Sequence, residues 1–252
     1  MRPVMPLEPP ISDPARPGRP VGRALLLAAG LVWIAGKAAA GSAVNVDLHR
    51  GAPDPDNAGT PSSAYAAAST QSGQWNGVSV LSFGPHALVD KNGAAGPVLT
   101  MSSNAQGVGG RIFDNPFTFG DDAALLDDAF NIPAGRGSFV TLTITGLAAN
   151  VYWVYTYAWD PAFTASKSVT VDVNGTGAVL VSPGSEVFAG FVVGETHAEH
   201  SVVLAGGEPL AITAVIVDDV VPAGVVNGFQ VVPQGLEAVE HRTWGAIKAH
   251  FQ

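Results

Sequence analysis

Residues 141–160, TLTITGLAANVYWVYTYAWD, form the stretch that most constrains what this chain can fold into. Threonine, valine and aromatic residues fill both halves of the stretch, and such residues favour a pleated, half-buried strand. The segment between the halves, residues 146–150, has the composition of a turn. The sequence therefore predicts a hairpin of two strands here.

The second strand of this predicted hairpin alternates between two sets of side chains. Successive side chains of a strand point to opposite faces of the sheet. One set is mixed and comprises Tyr152, Val154, Thr156 and Ala158, whereas the other is wholly aromatic and comprises Trp153, Tyr155, Tyr157 and Trp159. A strand with two such faces belongs in a sheet that packs on another sheet.

The rest of the chain continues with short strands separated by turn residues. An Asn-Gly pair at Asn174 and Gly175 lies between two apolar runs and predicts a second hairpin. With the first hairpin, the count is about ten strands, and the other segments are residues 44–49, 75–83, 97–102, 168–173, 179–181, 188–193, 201–204, 210–217 and 225–232. This spacing is typical of a sandwich or barrel and not of alternating βαβ units.

Two short helical segments complete the predicted elements. In residues 121–130, DDAALLDDAF, Asp121 or Asp122 can cap one or two helical turns. Residues 243–252, TWGAIKAHFQ, can form a terminal helix capped by Thr243, which would contact a partner or dock on the domain. The predicted fold is therefore all-β, an antiparallel β-sandwich with a short C-terminal helix, in which residues 44–233 form the sandwich and residues 234–252 the linker and tail.

The first 40 residues have the features of an export signal. A basic leader precedes the apolar run ALLLAAGLVWIA, and small residues follow it at residues 38–43. This order matches a secretory signal, and the apolar run is shorter than the roughly 20 residues that a spanning helix needs. A membrane anchor remains the alternative. We expect a secreted or cell-surface protein with no membrane span after removal of the signal.

Composition excludes several classes of function. The chain has no cysteine, which excludes disulfides, thiolate zinc sites and a cysteine nucleophile. From residue 41 onward it carries 7 basic and 19 acidic residues, whereas binding to a nucleic acid duplex needs a basic face. We therefore expect no nucleic acid partner.

Several motifs occur in an order that resembles a known group of proteins. The segments are VNVDL, GQWNGV, LLDDAF, TITGL followed by VYWVYTYAWDP, and VVNGFQVVP. They resemble the motifs of secreted proteins of environmental bacteria that have galactose-binding-like jelly-roll sandwiches. The resemblance covers residues 44–233 and implies a single extracellular jelly roll, often without an assigned activity. This chain lacks the Pro-Glu-Pro sorting signal of many members, and its tail resembles the Trp-Gly-x-Ile-Lys endings of other exported proteins.

The aromatic face of the second strand is the main candidate for a ligand site. Sugars present apolar C–H faces that stack on flat rings, and rigid aromatic side chains make contact surfaces at low entropic cost. The candidate ligand-binding residues are Trp153, Tyr155, Tyr157, Trp159 and Asp160. The alternative is that the same rings fill the core between the sheets, since a period of two does not say which face is inward.

Two other groups of residues could hold a metal. Asp121, Asp122, Asp127 and Asp128 could supply oxygens to a structural calcium ion, although solvated acids that cap a helical turn also explain them. His197 and His200, near Glu195 and Glu199, lie three positions apart and would face opposite sides of a strand. We therefore predict no metal site at the histidines and no required cofactor.

These observations favour an exported, non-catalytic binding module whose ligand is a polysaccharide or a cell-surface glycan. The alternative is a structural or adhesive surface protein that acts through protein contacts, including those of the tail helix. A polysaccharide hydrolase or lyase has the least support, because the chain has no Gly-x-Ser-x-Gly elbow and nothing singles out a catalytic pair among its acids.

Overall fold

The computed structural model describes residues 41–50, 59–133, 135–160, 168–217 and 223–235 of the 252. In chain order, the first strands are β1 (Val44–His49), β2 (Trp75–Ser79), β3 (His86–Val89), β4 (Ala95–Ser103), β5 (Gly109–Ile112), β6 (Asp128–Pro133) and β7 (Phe139–Thr145). The remaining strands are β8 (Asn150–Tyr157), β9 (Val169–Val173), β10 (Val179–Val181), β11 (His197–Leu204), β12 (Leu210–Ile216), β13 (Ala223–Val226) and β14 (Gly228–Pro233). A 3-10 turn spans Ala67–Ser69, and helix α1 spans Asp121–Leu126.

The strands form three sheets. A five-stranded sheet has the order β11-β8-β14-β1-β2, a six-stranded sheet has the order β10-β9-β12-β7-β4-β3, and a three-stranded sheet has the order β13-β6-β5. Neighbouring strands are antiparallel, with the exception of the parallel pair β1 and β2. The predicted all-β, antiparallel sandwich is confirmed.

The main core lies between the five-stranded and six-stranded sheets. Alternate residues of β8 and β14, such as Val154 and Phe229, meet Leu142 of β7 and Ile212 of β12 in one buried cluster. Burying such a side chain contributes about 1.5–3 kcal/mol. Because successive side chains of a strand point to opposite faces of the sheet, one set of alternate residues in each strand packs into this core.

A second buried cluster covers the opposite face of the five-stranded sheet. We call it the outer cluster, and its buried members are Ala43, Trp75, Leu125, Leu126, Tyr155, Tyr157, Trp159 and Val232. Helix α1 supplies Leu125 and Leu126, and residues 65–68 and 188–191 pack against the cluster from the loops. Both faces of the five-stranded sheet are therefore buried over most of its area, although Val203 on the edge strand β11 is 72% exposed.

The hairpin predicted for residues 141–160 was wrong. The first strand, β7, belongs to the six-stranded sheet, whereas the second, β8, belongs to the five-stranded sheet. Their connection begins at Gly146, whose positive φ of 92° suits a sharp change of direction, and it crosses from one sheet to the other. Leu142 of β7 and Val154 of β8 therefore reach the main core from opposite sides.

The second predicted hairpin is confirmed. β9 and β10 are antiparallel neighbours, with Val171 opposite Val179. Asn174 and Gly175 both have positive φ, 49° and 74°, which the primed two-residue turns of hairpins require.

Several predicted boundaries changed in the structure. Residues 188–193 are a loop and not a strand, because Phe188 and Phe191 both turn towards the outer cluster. The predicted strand 225–232 divides at Asn227, whose amide donates to the carbonyls of Leu126 at 3.1 Å and Asp128 at 3.0 Å. β3, β5 and β6 were not predicted, and β2 ends at Ser79 instead of residue 83.

Helix α1 also begins differently from the prediction. Its N-cap position is Gly120 and has no side-chain cap, so the predicted capping by Asp121 or Asp122 was wrong. The helix ends at Leu126, and the chain enters β6 at Asp128. The predicted signal, residues 1–40, and the predicted tail helix, residues 243–252, lie outside the described residues. Within the described ranges, no helix has the length and apolar character needed to cross a bilayer.

Two carboxylates are buried beside the end of β1. Asp47 and Asp128 are 0% and 1% exposed, and neither oxygen of Asp47 has a hydrogen-bond partner among the described residues. Burial, with a smaller contribution from the charge of Asp128, holds the pKa of Asp47 well above its ordinary value of 3.8. The folded protein therefore favours protonated Asp47.

We expect this preference to make the stability of the domain depend on pH. The stabilisation is complete below the ordinary pKa of 3.8 and is lost as the pH rises through the higher folded-state pKa. Asp47→Asn should raise the free energy of unfolding at pH above neutrality, because the amide carries no charge for burial to penalise. The gain should shrink towards pH 4. Urea unfolding across this pH range measures the gain in stability, and Glu208→Gln, a substitution at an exposed acid, is the control. Equal unfolding midpoints for Asp47→Asn and the wild type at alkaline pH would contradict the prediction.

Candidate functional site

The predicted aromatic face lies in the outer cluster and not between the two large sheets. Tyr157 and Trp159 are 0% and 2% exposed, Tyr155 is 7% exposed, and Trp153 is half-buried at the edge of the cluster. The ring of Trp159 lies 5.6 Å from that of Phe188, and the ring of Tyr157 lies 5.3 Å from that of Phe191. Neither of the two expected arrangements, an open groove or a core between sheets, describes this face.

Hydrogen bonds hold the polar groups of the outer cluster in place. The Tyr157 hydroxyl donates to Oε1 of Gln230 and accepts from the backbone N–H of Ala68 at 3.1 Å. The Gln230 amide in turn donates to Oδ1 of Asn45 at 2.9 Å. Burial raises the pKa of Tyr157 well above its ordinary value, so the phenol stays protonated and acts as a donor.

The acids of α1 fasten the loop that covers the cluster. Asp121 accepts from the N–H of Ser62 at 2.6 Å and from its hydroxyl at 2.8 Å. Asp122 accepts from the Tyr65 hydroxyl at 2.5 Å. The Tyr65 carbonyl accepts from the indole N–H of Trp75 at 3.1 Å, so this loop is bound on both sides.

The four acids proposed for calcium therefore separate in the structure. Asp127 accepts from the Thr118 hydroxyl at 2.6 Å, and burial raises its pKa to about 6. Asp128 lies beside Asp47, whereas Asp121 and Asp122 bind the covering loop. In the part of the chain that the structure describes, no group of three or more acidic, histidine or cysteine side chains is placed to hold a metal ion.

His197 and His200 point to opposite sides of β11, as expected for positions three apart on a strand. The ring of His197 packs 5.9 Å from that of Tyr157, and its Nε2 lies 3.4 Å from Glu199. Burial lowers the pKa of His197, so its neutral form is favoured. His200 instead contacts the carbonyl of Gly177 at 3.0 Å.

Asp160, the last of the predicted ligand residues, binds an arginine that lines a surface cleft. Its carboxylate is fully buried and forms an ion pair with Arg111, with Oδ2 3.2 Å from Nη1. Arg111 opens into a cleft of about 360 Å³, within the size range of small-molecule sites. We call this the Arg111 cleft, and its lining residues are Arg111, Ile112, Phe113, Asp114, Asn115, Pro116, Phe117 and Glu186.

The Arg111 cleft combines an exposed ring with fixed polar groups. Phe117 is 44% exposed, and neighbouring Phe119 is 74% exposed. The guanidinium of Arg111 lies 4.9 Å from the centre of the Phe113 ring, which is itself packed in a small buried cluster with Ala129 and Val225. A ring face beside a positioned guanidinium and exposed carboxylates can stack on a sugar and hydrogen-bond its hydroxyls.

Asn115 joins the two loops of the Arg111 cleft. Its amide donates to the carbonyl of Glu186 at 3.2 Å, and its Oδ1 accepts from the N–H of Phe117 at 3.0 Å. Sequence reasoning assigned residues 107–120 to none of the predicted strands or helices and missed this cleft. The available clue was the run FDNPFTF at residues 113–119, in which three phenylalanines alternate with turn residues.

Two other clefts lie on the described surface. A cleft of about 140 Å³ lies on the other side of the residue 184–188 loop and is lined by Trp159, Phe188 and Val192, among others. Another, of about 310 Å³, lies near Tyr152, towards the beginning of β8, and is lined mainly by small residues. The Arg111 cleft differs from both in its exposed phenylalanine and its arginine.

Comparisons with known proteins give no family assignment. No family model and no curated protein matches the sequence. Among solved structures, a family 35 carbohydrate-binding module from Clostridium thermocellum is 15% identical over 53% of this chain and 90% of its own, with a TM-score of 0.33. The CBM36-1 domain of a multidomain xylanase from the hindgut metagenome of Trinervitermes trinervoides is 16% identical over 54% of this chain and 98% of its own, with a TM-score of 0.32.

A plant protein is also similar in part. The plant receptor-like kinase ANX2 is 11% identical over 75% of this chain and 46% of its own, with a TM-score of 0.44. Two of these three neighbours are carbohydrate-binding modules by description. We assign this chain to the β-sandwich class from the arrangement of its own sheets and not from these similarities.

The burial of Trp159 predicts a structural cost for its removal. Trp159→Ala should lower the free energy of unfolding by about 3–5 kcal/mol, the usual cost of deleting a buried tryptophan. Trp153→Ala, at the half-exposed edge of the same cluster, should cost less. Chemical denaturation measures both. A Trp159→Ala protein with unchanged stability and lost ligand binding would instead support direct contact between Trp159 and a ligand.

Proposed function

We propose that this protein is an exported, non-catalytic module that binds a glycan in the Arg111 cleft. The observation that carries the proposal is the exposed ring of Phe117 beside Arg111, Asp114 and Glu186. Aromatic rings supply contact area to the apolar face of a sugar, and the charged side chains accept or donate hydrogen bonds to its hydroxyls.

The cleft is organised before a ligand arrives. Arg111 is held by Asp160 and by the ring of Phe113, and Asn115 ties the Phe117 loop to the Glu186 loop. Side chains that are already ordered lose little entropy on binding, which favours affinity. Pre-organisation of this kind supports a binding role.

For the residues first predicted to contact ligand, we propose mainly indirect roles. Asp160 is a positioning residue that fixes the guanidinium of Arg111. Trp159 supports Phe188, two residues along the chain from Glu186 in the cleft. Tyr155 and Tyr157 hold the outer cluster on which this loop rests, and Trp153 remains the member with the most accessible ring.

Export is part of the proposal and rests on the sequence. The basic leader, apolar run and small residues within residues 1–43 support secretion or display at the cell surface. Two measurements on the natural protein test this part. Amino-terminal sequencing shows whether the first 40 or so residues have been removed, and fractionation of cells shows where the protein is located. Finding an uncleaved protein in the cytosol would contradict it.

We expect Phe117→Ala to weaken glycan binding by about tenfold, which corresponds to the loss of about 1.4 kcal/mol from one stacked ring. The measurement is retention on an array of immobilised glycans, followed by calorimetry with a retained oligosaccharide. Leu81→Ala is the matched control, because Leu81 is also an exposed apolar residue, at 63%, but lies in the turn after β2.

The same assays separate the alternatives. If the wild type is retained by no glycan, the proposal fails, and loss of surface retention on removing residues 243–252 would favour the adhesive alternative. Release of new reducing ends from a bound polysaccharide, abolished by Asp114→Asn or Glu186→Gln, would instead establish an enzyme.

A further inference from the structure

The charges that line the Arg111 cleft do not cancel. Among the described residues, its lining contains one cation, Arg111, and two exposed acids, Asp114 and Glu186. The charge of Arg111 is already offset by the fully buried Asp160, 3.2 Å away. The two acids at the rim are therefore left to act on an incoming ligand.

The surroundings of Arg111 also limit how well its positive charge can attract an anionic ligand. Its side chain is 27% exposed, and its guanidinium lies between the Asp160 carboxylate and the Phe113 ring, 4.9 Å from the ring centre. An anionic ligand would compete with Asp160 for the same guanidinium. The rest of the chain adds to the negative potential, since residues from 41 onward include 7 basic and 19 acidic side chains.

The two rim acids are also held near the ring of Phe117. Asn115 binds the Glu186 backbone on one side and the Phe117 backbone on the other, at 3.2 Å and 3.0 Å. Asp114 precedes Asn115 directly in the chain. A sugar stacked on Phe117 would therefore share the cleft with both carboxylates, whose field falls off over roughly 8 Å at physiological ionic strength.

We propose that the Arg111 cleft selects glycans by charge, with Asp114 and Glu186 as its specificity-determining residues. Neutral sugars and sugars that carry an amino group bind, and sugars that carry a carboxylate are disfavoured. This inference rests on the proposed function and adds to it the chemical class of the ligand.

The test uses pairs of oligosaccharides that share a backbone and differ in charge. The first pair is trigalacturonate and its methyl ester, and the second is chitotriose and its fully N-acetylated form. Calorimetry is carried out at about 0.01 M and about 1 M salt, where the screening lengths are roughly 30 Å and 3 Å. At low salt the wild type should bind the ester at least several-fold more tightly than the acid, and chitotriose more tightly than its acetylated form. Both differences should disappear at high salt.

Variants at the rim identify the residues responsible. Asp114→Asn and Glu186→Gln should each bring the ratio of the dissociation constants for acid and ester closer to one, and the double variant should bring it closest. Glu208→Gln is the control, because it removes an exposed acid from the turn between β11 and β12 and should leave the ratio as in the wild type.

Three results would overturn the inference. The first is that the wild type at low salt binds the acid as tightly as the ester, or more tightly. The second is that neither rim variant changes the ratio of the dissociation constants for acid and ester. The third is that none of the four oligosaccharides binds. The glycan array decides the proposed function separately. A protein that is retained on the array, weakened there by Phe117→Ala and indifferent to charge would keep the proposed function and lose only the charge selection.

Discussion

The structure depends on the need to bury both faces of β8. Tyr152 and Val154 face the main core, whereas Tyr155 and Tyr157 face the outer cluster. A sheet with two apolar faces is stable in water only if something covers each of them. The six-stranded sheet covers one face, and α1 with the loops at residues 65–68 and 188–191 covers the other. This covering layer positions the loop that carries Glu186.

Buried polar side chains join the covering layer to the sheet. The Tyr157 hydroxyl accepts from the N–H of Ala68 in the covering loop, and Oε1 of Gln230 accepts from the N–H of Ser69. Asn227 binds the carbonyls at the junction of α1 and β6. An unpaired buried polar group costs about 1–3 kcal/mol, so these partners also specify how the layer sits. Asp121 and Asp122 of α1 add hydrogen bonds within the covering layer, because they bind the loop that contains Ser62 and Tyr65.

The local pattern of the sequence predicted strands better than it predicted their partners. The alternation of residues 152–159 identified a strand, which the structure ends at Tyr157, and the Asn174–Gly175 turn identified a hairpin. Both are properties of neighbouring residues. The pairing of β7 with β8 was predicted wrongly, because strands joined by a short turn can equally lie in opposite sheets. The Arg111 cleft was missed for a similar reason. Its residues 111–117 meet Glu186 and Asp160 only in the folded chain, and no local spacing records that contact.

The exposed side chains at the mouth of the cleft lie outside all three buried clusters. Asp114 and Phe117 contribute to none of them, and neither does Phe119, which follows the lining residues in the chain. Phe113 and Thr118 beside them are buried. Exchanges at these three positions consequently have little effect on whether the chain folds. Natural selection can therefore alter the surface of this cleft rapidly while it preserves the interior, and descendants of one ancestor can diverge there before they diverge in shape.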